Sequence, residues 1–238
     1  MKPYFYDLHI HSCLSPCGDD DMTVHNILGM AMVKGLELIA LTDHNSCKNC
    51  PAILKAAEGA PLTVLPGMEL CTSEEFHVVC LFPSLKPAMA FDEYVYSHLP
   101  KVNNNEAIFG KQQILDEQDQ VIAVEPIMLA GASTISVEQL PGLMAQFGGF
   151  AFPSHIDKNS FSIVASLGLI PPELGFTCVE VFQPNTFFAR PGARLITNGY
   201  RVITNSDAHY LGDIAEPERQ LELESPDFYG LVKSLRVR

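Results

Sequence analysis

The sequence predicts an α/β fold built on a parallel sheet, and three observations carry that expectation. From the start of the chain to Phe82, short apolar, β-rich runs alternate with helix-like stretches, the pattern of successive βαβ units. The chain has 238 residues, a length at which an α/β barrel commonly forms as one unit. Histidines and carboxylates fall at the ends of the apolar runs, where parallel α/β architectures gather residues remote in sequence.

The first run, YFYDLHIH, reads as a strand. Met22 to Lys34 reads as an amphipathic helix with Thr23 available as N-cap and Gly35 closing it. LELIALTDH is the next strand. Pro51 to Glu58 forms a short helix with proline in its first turn, where the missing N–H has no partner to lose. PLTVLPGMEL and HVVCLF supply two further strands. From Pro83 to about Leu140 the pattern weakens, and helices are expected at Ala90 to Leu99, Glu106 to Glu117 and Ser136 to Gln146. Strand signals return in GGFAFPSH, TCVEVF, RVITNSDAH and RQLELE, and Asp227 to Arg236 reads as a final helix. No repeat, low-complexity tract or linker-like composition divides the chain, so a single domain over 1–238 is expected, with 83–140 as an insertion or lid.

Hydrophobic residues make up 47% and charged residues 18%, a balance that supplies a core and argues against disorder. No run approaches the roughly 18 apolar residues of a membrane span. The opening residues lack the apolar stretch and cleavage site of a secretory signal, so a cytoplasmic protein with no membrane partner is expected. The 15 Lys and Arg against 28 Asp and Glu give a net charge of −13, from which extended nucleic acid is not expected as a partner. A small phosphorylated substrate remains compatible, because bound divalent cations reverse the local field where carboxylates cluster. Seven cysteines at irregular positions fit a reduced compartment better than a disulfide framework.

Of eight histidines, five lie at the ends of strand-like runs: His9, His11, His44, His155 and His209. Glu69 and Asp207 occupy equivalent positions. In YDLHIHS the two-residue period of a strand turns Asp7, His9 and His11 to one face, and Asp207 and His209 share a face in the same way. Imidazole and carboxylate donors together suit zinc, manganese or iron, and the candidates outnumber the ligands of one tetrahedral ion, so two or three divalent ions are expected. Such a cluster lowers the pKa of bound water to about 7 and clamps the attacking and leaving oxygens of a displacement at phosphorus. His25 and His98 fall outside this pattern and are expected to be structural or surface residues.

The ordered set DLHIHS, LTDHN, PGMEL, PSHID and NSDAH resembles the motif series of the PHP (polymerase and histidinol phosphatase) superfamily, and it spans Asp7 to His209. The resemblance implies a distorted (β/α)7 TIM-like barrel with a two- or three-metal centre at its carboxyl rim, and hydrolysis of phosphate esters by a metal-bound hydroxide. It makes His9 and His11 ligands of one metal, Glu69 a bridging carboxylate, and His44, His77, His155, Asp207 and His209 further ligands. One more ligand belongs in the loop SCLSPCGDDDMT, with Asp19 the choice and Asp20 the alternative. Asp7 and Asp43 are expected to orient imidazoles rather than to bind metal. Lys158, Arg190 and Arg194 are the candidate phosphate-binding cations.

The favoured function is hydrolysis of a small phosphomonoester. Histidinol-phosphate phosphatase and a non-catalytic metal-binding PHP module are the alternatives, while an amidohydrolase would need a metal-bridging lysine signal that is not seen. CKNC, from Cys47 to Cys50, has no second C-x-x-C to complete a zinc site and reads as incidental thiols. Together with Cys13 and Cys17 in the other rim loop it carries an expectation of oxidation sensitivity.

Overall fold

The computed structural model describes residues 1–236. The first run becomes β1 (Lys2–Ile10), buried from Tyr6 onward. It pairs in parallel with β2 (Leu38–Leu41), which pairs in parallel with β3 (Thr63–Cys71). The crossovers pass through α1 (Val24–Val33) and α2 (Cys50–Ala56), as the sequence predicts. Gly35 adopts a φ of 76° after α1, a conformation that carries a steric penalty for other residues. Thr23 has extended N-cap geometry, but its hydroxyl donates to Asp119 Oδ2 at 2.7 Å instead of capping the helix.

After β3 the chain departs from a parallel arrangement. The connection from Thr72 to Phe76 is too short for a crossover, which takes about a dozen residues or more, so β4 (His77–Leu81) returns antiparallel with His77 opposite Cys71. Gly67 permits the close approach of these strands, because a Cβ there would lie 2.6 Å from the Cys80 carbonyl oxygen.

The segment that follows holds α3 (Leu85–Ser97), α4 (Glu106–Phe109), β5 (Gln113–Leu115), β6 (Val121–Val124) and α5 (Leu140–Phe147). The helix expected over Glu106 to Glu117 stops at Phe109. Beyond it, QIL and VIAV pair as an antiparallel hairpin, and Asp116 Oδ1 accepts the Gln118 and Gln120 N–H groups at its turn. β-Branched residues on both sides of an Asp-rich turn favour this pairing over a helix.

β7 (Phe150–Pro153) pairs antiparallel with β4. It is followed by α6 (Ile163–Leu167), β8 (Cys178–Glu180), α7 (Pro184–Phe188), α8 (Ala193–Ile196), β9 (Arg201–Ile203), β10 (Gln220–Leu223) and α9 (Phe228–Arg236). The main sheet is a curled, six-stranded one in the order β10-β1-β2-β3-β4-β7. The parallel β8–β9 pair stands apart from it. Ile156, just after β7, donates to the Glu180 carbonyl, and His11 at the end of β1 donates to that of Ala208 beyond β9. The pair therefore links the two ends of the curl, but strand pairing among the described residues does not draw the closed seven-stranded ring expected.

Leu8, Leu38, Ala40, Leu65, Val79 and Phe152 form one apolar cluster, which Leu231 and Leu235 of α9 join. Ile39, Leu41, Val64 and Cys80 belong to a second, with Ile27 and Ala31 of α1 and Phe91 of α3. No helix is long and apolar enough to cross a membrane among the described residues.

Candidate metal centre

The polar residues at the strand ends converge. His9 lies on β1 with His11 just beyond it, His44 follows β2, and Glu69 is near the end of β3, bridged to His44. Because β4 runs antiparallel to β3, its first residue, His77, lies at the same end as Glu69. A further reversal brings the end of β7, and His155 after it, to that rim. Asp207 and His209 arrive on the loop after β9. His155 and Asp207 hold φ values of 26° and 51°, left-handed conformations that are strained for non-glycine residues and concentrate at functional sites.

Glu69 is the fully buried hub. Its Oε1 lies 3.1 Å from His9 Nε2 and 3.2 Å from His155 Nε2, and its Oε2 lies 3.1 Å from His44 Nδ1 and 3.2 Å from His77 Nδ1. Asp207 Oδ1 lies 3.4 Å from His9 Nε2 and 3.3 Å from His11 Nε2. Three sets have donor atoms within 4.8 Å of one another: His9, His11, Glu69 and Asp207; His44, Glu69 and His77; and His11, His44 and His209. Both Glu69 oxygens, Asp207 Oδ1, His44 Nδ1 and both His77 nitrogens are buried with no hydrogen-bond partner. Buried polar atoms normally find partners, so inward-facing orphans of mixed nitrogen and oxygen type fit a group of divalent ions.

A surrounding layer sets the imidazole orientations. His9 Nδ1 bonds the Glu180 carboxylate at 3.1 Å, and Glu180 also accepts from Asn205 Nδ2 at 2.6 Å and the His155 N–H at 2.9 Å. His11 Nδ1 bonds Ser15 Oγ at 2.9 Å, and Ser15 donates to Asp43 Oδ1 at 2.7 Å. Asp43 is thus coupled to His11 through a serine. Asp7 behaves differently from expectation: it accepts from Ser206 Oγ, Ser206 N and Ala215 N, and so holds the loop that carries Asp207 and His209 rather than an imidazole. A register shift between Asp7 and Ile10 breaks the regular alternation on which the shared face of YDLHIHS was expected. Glu180 escapes the sequence reading, its only signal being a carboxylate between valines in TCVEVF.

The protein's own charges oppose one another strongly here. Burial disfavours charge on His9, but Glu69, Glu180 and Asp207 outweigh it and hold His9 well above its ordinary value. Burial likewise works against ionised Glu69, yet His77 and His9 keep it well below the usual carboxylate range. At the mouth of the site desolvation resists ionisation of Cys17, but hydrogen bonds with His209 and His44 bring its thiol down to about 6.

Asp19 and Asp20 do not join the centre. Asp19 Oδ1 accepts the Asp21 N–H at 2.9 Å, and Asp20 Oδ1 accepts from Gln113 Nε2 at 2.7 Å. His25 sits beside Asp119, and His98 bonds the Tyr94 carbonyl oxygen, both away from the centre. Cys47 and Cys50 are buried against the Gly67 carbonyl, where their thiols are shielded.

A cavity of about 280 Å³ opens on the centre, lined by His44, His77, Asp207, Lys158 and Phe161, with Ala130 from the segment between β4 and β7. Lys158 pairs with Asp207. Phe161 stacks on His77 at 4.8 Å and accepts the His77 N–H on its carbonyl. Arg190 donates to the Asp157 carbonyl and lines a neighbouring cavity, while Arg194 lies over Phe188. Of the three candidate cations, only Lys158 reaches the centre.

A curled α/β sheet with a buried histidine–carboxylate cluster at its rim defines a metal-binding protein of the PHP kind. The PHP domain profile matches residues 7–126, and the chain belongs to that family. It is 25% identical to the uncharacterized protein YqxK of Bacillus subtilis over 99% of this chain and 62% of that one, so it spans less than two thirds of that relative. Its fold is similar to that of the lesion-specific endonuclease Q of Pyrococcus furiosus, with a TM-score of 0.65 and 16% identity, over 99% of this chain and 56% of that one. It also resembles a protein of Bifidobacterium adolescentis provisionally described as a metal-dependent phosphoesterase, with a TM-score of 0.61 and 15% identity, over 98% and 97% of the two chains. Endonuclease Q has also been solved with a 27-mer duplex carrying an abasic lesion. The expectation that net charge excludes extended nucleic acid therefore has no support.

Proposed function

We propose that the chain is a metal-dependent phosphoesterase that hydrolyses a small phosphomonoester. The observation that carries this reading is the set of orphaned, inward-facing donors around Glu69. His9, His11, Glu69 and Asp207 would hold one ion, and Glu69 would share a second with His44, His77 and His155. His209 faces His11 and His44 and would serve a third. Bound ions supply Lewis acidity and a water ionised near neutral pH.

The remaining work falls to the protein. Glu180 and the Ser15–Asp43 pair hold the Nδ1 protons of His9 and His11, so that each Nε2 lone pair is directed inward. Glu69, Asp207 and Glu180 form a negative field that repels phosphate until cations offset it, which makes activity without metal unfavourable. Lys158 stands at the cavity mouth, where its ammonium would bind a phosphate oxygen. The cavity has room for more than a phosphoryl group, so part of the rest of the substrate would lie in it against Phe161 and Ala130. Through Ala130 the segment 83–140 would take part in substrate selection.

A phosphate-release screen over nucleotides, sugar phosphates and histidinol phosphate, with manganese, zinc or iron supplied, tests the proposal. Turnover of a monoester supports it. Cleavage confined to a phosphodiester, for which a lesion-bearing duplex is the control, would replace the substrate class. No turnover with any metal would leave a binding module.

A further inference from the structure

We propose that the substrate carries a second anionic group, a phosphate or a carboxylate, and that Arg190 binds it in the cavity beside the metal centre. This rests on the phosphoesterase reading above and narrows its substrate class to small, doubly anionic molecules.

The second cavity has a volume of about 230 Å³ and lies where the residues after His155 meet α6, α7 and α8. Lys158 lines both this cavity and the one over the centre, so the two share a wall. Val164, Phe187 and Ile196 give the second cavity an apolar surface, and Arg190 brings a guanidinium to it. Arg190 does not line the cavity over the centre, so the group it binds is not the one hydrolysed.

The charges around this cavity favour an anion. Arg190 pairs with no carboxylate among the described residues. Its Nη1 donates to the Asp157 carbonyl oxygen at 3.3 Å, and its other side-chain N–H groups have no partner among those residues. Asp157 is the one acidic residue on the cavity wall, and it is committed elsewhere: its two carboxylate oxygens accept the Phe182 and Gln183 N–H groups, each at 2.8 Å. In a chain with a net charge of −13, a cavity with two cations and one committed carboxylate departs from the general field. A planar guanidinium with free donors suits the paired oxygens of carboxylate or phosphate. With the scissile phosphoryl beside Lys158 on the metal side, part of the carbon skeleton would pass that lysine and rest on the apolar surface, carrying the second anion to Arg190.

Phosphonates test this, because they are not hydrolysed and calorimetry on the full chain loaded with zinc, manganese or iron reads their binding alone. The ligands are phosphonocarboxylates of increasing chain length, each set against the alkylphosphonate of the same length. At the length that spans Lys158 the carboxylate should tighten binding at least about tenfold, as a hydrogen bond to a charged group does. Arg190→Ala should lose that gain and bind the alkylphosphonates as the wild type does, while Arg190→Lys should keep part of it. No gain at any length, or a gain that survives in Arg190→Ala, would overturn the second subsite and leave the phosphoesterase reading standing. If neither kind of ligand bound with any of the metals, both would fall.

Discussion

His9 turns its Nδ1 to Glu180, 3.1 Å away on β8, and its Nε2 to Glu69, 3.1 Å away on β3. One carboxylate therefore fixes the tautomer and the other meets the lone pair, and the two come from strands distant in sequence. Replacing Glu180 with glutamine keeps the shape but removes the charge that favours an Nδ1 proton. We expect Glu180→Gln to weaken metal binding about 10–100-fold with little loss of fold. Competition with a chromogenic chelator measures it, and unchanged affinity would show that Glu180 does not act through His9.

The serine between His11 and Asp43 makes a separable prediction. Ser15→Ala should loosen His11 while Asp43 keeps both bonds from Ser12, whereas Asp43→Asn weakens the acceptor for Ser12 and Ser15 together. The double variant should be no worse than Asp43→Asn alone if the aspartate reaches His11 only through Ser15. A double-mutant cycle on metal affinity checks this, and additive losses would contradict it.

Much of this centre was legible because its residues sit at strand ends in short motifs. HIH, TDH, GMEL, PSH and SDAH are local patterns, and the structure brings His9, His11, His44, Glu69, His77, His155, Asp207 and His209 together. Three features were not legible. Glu180 acts across the fold, and nothing local distinguishes it from any other buried strand glutamate. The hairpin of β5 and β6 looked helical because the periodicity of a short segment is ambiguous until strand partners are known. Asp19 was expected as the ligand of the first loop, with Asp20 the alternative, while the turns of that loop send them to the Asp21 N–H and to Gln113. The antiparallel return at β4 is a consequence of loop length, which the sequence does display between PGMEL and HVVCLF.

Lys158 separates phosphate binding from general surface charge. Its ammonium lies at the cavity and pairs with Asp207, whereas Arg194 rests on Phe188 outside it. A charged hydrogen bond contributes about 1.5–3 kcal/mol, so Lys158→Ala should lower kcat/KM roughly 10–100-fold, mostly through KM. Arg194→Ala should change it little. Equal effects of the two substitutions in steady-state kinetics would remove Lys158 from substrate binding.

Metal should also stabilise the folded chain. The opposed histidines and carboxylates at the rim are assembled only in the folded protein, so ions that bind there shift unfolding upward by linkage. At 100 times Kd a single site contributes about 2.7 kcal/mol. Adding zinc or manganese should raise Tm, and a chelator should reverse the rise. In Glu69→Gln the rise should shrink, because the shared ligand loses its charge. A Tm insensitive to every metal would argue against occupancy of this centre.

Two glycines give stability predictions of opposite sign. Gly67 lies within β3 where β4 comes closest, and an alanine Cβ would be 2.6 Å from the Cys80 carbonyl oxygen and 2.8 Å from the Leu81 side chain. The carbonyl belongs to a paired strand, so relief requires moving β4 away from β3, near Glu69 and His77. Overpacking of this kind costs about 1–3 kcal/mol. Gly29 lies in the middle of α1 with nothing within 4 Å of its would-be Cβ. Alanine there should stabilise by about 0.5–1 kcal/mol, through the smaller entropy loss on forming helix. Urea unfolding of the two variants measures both differences. Gly67→Ala should also weaken metal binding, since displacing β4 separates His77 from Glu69, while Gly29→Ala should leave metal affinity unchanged. If Gly67→Ala unfolded at the wild-type midpoint, the close approach of β3 and β4 could not be what requires glycine in PGMEL.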